Sequence, residues 1–185
     1  MPLGVFKHQM GQDRVALEHT GEAFSMLGEY EYWDYHWLGH TLSGHAYTAL
    51  GNLDKAQYEY EKALALRSSM MWLRGIYDTL AGLARLSLAR GERTQALSHV
   101  EEILTHLETG NLDGALEPYR IYLTCYQVLS ANQDPRARET LADAYNLLQE
   151  RAENIANESL RRSFLENVAV NREIISEYEK NSSME

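Results

Sequence analysis

Cysteine is all but missing. Cys125 is the single thiol in 185 residues, which excludes an internal disulfide and any cysteine-built metal box and fits a reducing compartment. Proline is also scarce, with three in the chain, and the twelve glycines leave long stretches free of both breakers, so a strand-and-turn architecture is disfavoured and an all-α one is expected. No apolar run approaches the roughly 18 residues that a membrane span needs, and the opening Met1-Pro2-Leu3-Gly4-Val5-Phe6-Lys7-His8 lacks a charged start followed by an apolar stretch. Neither a membrane nor a secretion route is expected, and the chain reads as cytoplasmic. Positive charge is short too: 17 Lys and Arg stand against 27 Asp and Glu, a net charge of −10, the wrong balance for a phosphate backbone as partner.

What is present is a repeat. Gly11 and Ala16, Gly51 and Ala56, Gly91 and Ala96, and Asn132 and Ala137 are pairs of equal spacing, and their starts lie 40, 40 and 41 residues apart. Gly and Asn tolerate the left-handed backbone that ends a helix, so each pair reads as one helix stopping and another starting. Asn52 and Asp134 are placed to cap the following helices, with Pro135 suited to a first helical position. Apolar stripes at helical spacing follow each turn: Ala56, Tyr60, Ala63, Leu64; Ala96, Val100, Ile103, Leu107; Ala137, Leu141, Ala144, Leu148, continued by Ala152 and Ile155. Gly44, Ala84 and Cys125 stand seven residues before three of the turns, where a small side chain lets the two helices of a hairpin approach closely. A larger residue at Gly44 is expected to overpack that crossing.

The set Gly44, Tyr47, Gly51, Ala56, Tyr60 and Ala63 resembles the tetratricopeptide repeat signature, a likeness covering about residues 11 to 156. The resemblance implies an α-solenoid of antiparallel helical hairpins. Two departures accompany it: the period is near 40 where that family uses about 34, and His40 stands where Trp or Leu is usual. The units expected are a truncated hairpin over 1–30, then 31–70, 71–111 and 117–156, with Gly110-Asn111-Leu112-Asp113 as a connector. A capping helix over 157–180 closes a single domain of 1–180, and 181–185 form a flexible tail. In the cap, Asn157 is the starting residue and Leu160, Phe164, Val168, Ile175 and Tyr178 form one stripe. The run from Glu150 to Val168, with Asn171 and Arg172, resembles the C-terminal end of large bacterial multidomain regulators of the signal-transduction ATPase type. That likeness implies a nucleotide-hydrolysing module ahead of the repeats.

Motifs that carry chemistry are missing. There is no Gly-x-Ser-x-Gly elbow and no glycine-rich run ending in Lys-Ser or Lys-Thr. His36 and His40 share the minimum geometry for chelation, but no Glu completes a zinc-protease pattern, and His45 falls off that face. The pairs Glu101-Glu102 and Glu29 with Glu31 read as solvated surface. Cys125, at a small position of a hairpin, reads as core. No catalytic residue, metal site or cofactor is assigned, and the chain is expected not to be an enzyme.

The expected role is to hold a protein or peptide. The family's groove positions, carried over by alignment, fall on Leu38, Thr41 and His45, on Asp78, Ala81 and Arg85, and on Tyr119, Tyr122 and Tyr126. The three tyrosines lie at spacings that put their rings on one helix face, either as groove or as core beneath the cap. Arg85 is the only basic side chain among the nine, which speaks against a clamp for a peptide carboxylate. The aromatic cluster Tyr30, Tyr32, Trp33, Tyr35 and Trp37 is either core or a face through which two copies pair.

Overall fold

The computed structural model describes residues 2–27, 33–66 and 75–183. Among these the chain is all-α, with ten helices: α1 (Pro2–Gln9), α2 (Asp13–Leu27), α3 (Trp33–Ala49), α4 (Leu53–Ala65), α5 (Ile76–Ala89), α6 (Arg93–Leu107), α7 (Pro118–Ala131), α8 (Arg136–Glu153), α9 (Glu158–Asn167) and α10 (Ala169–Ser182). None is long and apolar enough to cross a membrane. Helices pair consecutively as hairpins, α1 with α2, α3 with α4, α5 with α6 and α7 with α8. The chain divides into two compact units, Met1–Leu116 and Glu117–Glu185, parting at the end of the connector that carries Gly110.

Three of the four expected turns close as the glycines require. Gly11, Gly51 and Gly91 have φ of 71°, 74° and 79°, a region L side chains enter at a cost. Each stop repeats one pair of backbone bonds: Gly51 N–H donates to Thr48 O at 3.0 Å and Asn52 N–H to Tyr47 O at 2.9 Å, as Gly91 does to Leu88 and Glu92 to Ser87. The Asn52 side chain, however, makes no cap bond to α4.

The fourth turn departs from expectation by one residue. Asn132 has φ −95°, and Gln133, at φ 57°, takes the left-handed place and repeats the bond pair with Ser130 and Leu129. The Asn132 amide instead donates to Val128 O at 2.8 Å. Helix α8 begins one residue after Pro135, and its first N–H, that of Arg136, is taken by the Asp134 carboxylate at 2.9 Å. The Arg136 guanidinium grips the same carboxylate and holds its pKa down at about 2. Since Gln in left-handed backbone is strained where Gly is not, Gln133→Gly is expected to stabilise the protein by up to about 1 kcal/mol. A thermal melt checks this, and a lower midpoint would contradict it.

The stripes read from the sequence are the core. Ala56, Tyr60, Ala63, Ala96, Val100 and Ile103 in the first unit, and Leu141, Ala144, Leu148 and Ala152 in the second, are all buried. The small position extends further back than expected: Gly4 precedes Gly11 by seven residues, and a Cβ there would touch Thr20 Oγ1 at 3.2 Å.

The closing element is two helices, not one. Asn157 does cap α9, accepting from Leu160 N–H at 3.0 Å, but the helix ends at Val168, whose backbone is extended (φ −82°, ψ 117°). The expected stripe is cut there: Leu160 and Val168 are exposed, while Phe164, Ile175 and Tyr178 pack on the second unit's core. Helix α10 is the cap. It lies on α8 and α7 as α5 lies on α4 and α3, so it occupies the place of a further hairpin's first helix.

Candidate functional site

In the first unit the expected groove row is mostly turned inward. Thr41, His45, Asp78 and Ala81 are at most 3 % exposed, whereas Leu38 and Arg85 are half-buried. Each polar member has a structural partner. Thr41 Oγ1 meets Thr79 Oγ1 at 2.8 Å, and Thr79 accepts from the Trp37 indole N–H at 3.0 Å. Asp78 accepts the backbone N–H of Leu116 at 2.9 Å, pinning the end of the connector. Only Leu38 and Arg85 of this row stay partly accessible; the buried polar groups Thr41, His45 and Asp78 are each satisfied by a partner within the unit.

His45 stands at the centre of a buried polar cluster that joins four helices. Its Nδ1 lies 2.8 Å from the Tyr60 hydroxyl on α4 and 3.0 Å from Arg85 Nη2 on α5. A guanidinium can only donate, so Nδ1 carries the lone pair and the imidazole accepts there. From α1 the His8 ring stacks on His45 with centroids 5.5 Å apart, and His8 Nδ1 meets the Asp13 carboxylate at 2.5 Å. His8 escaped the sequence reading because the ring it stacks on, His45, lies 37 positions away in the chain; the nearer signal was Asp13, five residues on across the Gly11 turn.

Other sequence candidates resolve into packing. His36 and His40 sit against Phe24, with centroids at 5.7 and 4.8 Å, and His40 Nδ1 meets Glu59 at 2.7 Å. Among the described residues no three His, Cys, Asp or Glu side chains come together as a metal site. Trp37 is spent inside, its ring covering Gly75, while Tyr35 is 50 % exposed. Tyr30, Tyr32 and the Trp33 side chain lie outside the described residues, as do Glu29 and Glu31. Cys125 is wholly buried, and desolvation pushes its thiol up to about 12, so it stays protonated and inert.

The three tyrosines of the second unit lie together on one core cluster. Tyr119, Tyr122 and Tyr126 all project from α7 onto one side, half-buried against Leu123, Leu141, Ala144, Leu148 and Ile174. Desolvation raises the phenol pKa of Tyr119 and of Tyr122, so both remain hydrogen-bond donors at neutral pH. The ring of Tyr119 meets Phe164 of α9 edge-on at 6.0 Å. Tyr126 donates to Glu177 of α10 at 2.9 Å, and with Lys180 it holds that carboxylate below its usual range, Lys180 having the larger effect. The row is thus flanked by the chain's own two closing helices. Its rings are part of the unit's core packing and remain partly accessible.

No family model matches the chain, and no curated protein or solved structure shows a significant match to it.

Proposed function

We propose that this chain is a protein- or peptide-binding module, a helical-hairpin scaffold of tetratricopeptide kind that holds a partner and does no chemistry of its own. The observation that carries the reading is the tyrosine row on α7: three rings on one helix face, anchored on an apolar cluster and still half accessible. Tyrosine gives large contact area with few rotatable bonds and a polar tip, which is why it recurs at the energetic centre of interfaces. The cellular setting that fits is a bacterial regulatory protein in which such a module senses or docks a partner for a signalling domain.

The test is a pull-down comparing the wild type with a Tyr119, Tyr122, Tyr126 triple alanine variant, folding being verified by circular dichroism. Loss of a specifically captured protein is expected; equal recovery by a folded triple variant would sink the assignment. A second reading, self-association, is favoured by the exposure of Met26 (86 %) and Tyr35 (50 %) in the first hairpins. Light scattering decides it, since a monomer at high micromolar concentration rules it out.

A further inference from the structure

Among the described helices, α9 is the one that the hairpin repeat does not require. Helix α10 already supplies the first helix of a further hairpin, and α9 is inserted between α8 and that cap. It has no buried side chain, whereas α10 anchors itself with Ile174 and Asn171, at 0 % and 1 % exposure. Non-helical backbone bounds it at Asn157 and at Val168. Its hold on the unit is one ring, Phe164 on Tyr119, with Leu165 beside it and two polar ties from α10: Asn171 Nδ2 to Phe164 O at 2.9 Å and Arg172 Nη1 to Glu166 O at 3.0 Å. Leu160, one turn earlier on the Phe164 face, is 64 % exposed, so the apolar stripe of α9 is only partly seated.

We propose that α9 is a built-in occupant of the Tyr119 end of the tyrosine face, and that the external partner this face accepts is an amphipathic helix carrying an aromatic residue where α9 carries Phe164. This rests on the reading that the tyrosine row is the binding face. A short helix with few buried contacts opens far below the free energy of global unfolding, while a well-anchored neighbour does not. A partner helix laid on the same rings is the helix-in-groove mode of recognition. While α9 is seated, the fraction of molecules able to take the partner is small and apparent affinity falls in proportion.

The experiment uses the full chain, its Phe164→Ala variant and, should that variant misfold, Phe164→Leu, which keeps bulk and loses the ring. The probe is a labelled synthetic peptide of residues 157–168, followed by fluorescence anisotropy, with hydrogen exchange of the backbone amides alongside. Amides of α9 are expected to exchange at least about ten-fold faster than those around Ile174 in the wild type. The peptide is expected to bind the loosened variant at least about ten-fold tighter than the wild type, and to lose that gain when Tyr119→Ala is added. Slow exchange throughout α9, or equal peptide binding by wild type and variant with α10 still protected, overturns the proposal. Peptide binding together with a pull-down unaffected by the tyrosines would sink the partner reading alone; tyrosine-dependent capture without peptide binding would sink α9 as occupant alone.

Discussion

Gly44→Leu is expected to be among the most damaging single changes in the first unit, costing about 3 kcal/mol or more, the upper end of what overpacking does. Gly44 faces the ring of Tyr60, and a Cβ added there would fall inside contact distance of Cε1, Cδ1 and Cζ. The ring has little room to retreat, because it also lies tight against Gly82 of α5, where an added Cβ would strike Cε1, Cζ and Oη. Tyr60 is wholly buried and its hydroxyl is held by His45 and, at 3.3 Å, by Thr48. One aromatic side chain of α4 thus fills the space left by two glycines on two hairpins. Tyr60→Ala is expected to cost roughly 3–5 kcal/mol through the cavity and the stranded polar atoms. The two effects must couple. In a Tyr60→Val background Gly44→Ala should be nearly neutral, whereas in the wild type it is not, and a double-mutant cycle by chemical denaturation reads the difference. Additive costs would show that the ring and Gly44 do not share this space.

Much of that arrangement was legible in the sequence, and the reason is steric. A left-handed turn selects glycine, and a close crossing selects a small side chain, so Gly11, Gly51, Gly91, Gly44, Ala84 and Cys125 announce themselves by residue type and spacing. What stayed hidden depends on neighbours distant in the chain. Gln133 takes the left-handed position although Asn132 has the better intrinsic preference, because the Asn132 amide is engaged with Val128 O and the tight start at Asp134 and Pro135 shifts the stop by one. The break at Val168 contains neither Gly nor Pro. In an unbroken helix Phe164 O would accept the N–H of Val168; here the buried amide of Asn171 takes it, a tertiary bond replacing a helical one. The burial of Thr41 and Asp78 was hidden for the same reason, since Thr79 and the Leu116 N–H that cover them are distant in the chain.

Splitting the closing segment has a consequence for stability that separates α10 from α9. Ile174 is fully buried among Leu123, Leu141, Ala144 and Leu148, so it joins α10 to both helices of the last hairpin. Ile174→Ala is expected to cost about 2–5 kcal/mol, and Ile174→Asp more, since a carboxylate there would have no partner in an apolar site. Leu160→Asp, at an exposed position of α9, is expected to change stability by less than about 0.5 kcal/mol. Hydrogen exchange would locate the damage: Ile174→Asp should release amides of α7 and α8 as well as α10, because without that helix the apolar side of the hairpin faces water, as the end of any repeat stack does when uncapped. If Leu160→Asp proved equally harmful, α9 and α10 would be acting as one lid, as the continuous stripe of the sequence had implied. A large difference between the two variants means that α10 alone closes the stack, leaving α9 free to come and go on the tyrosine face.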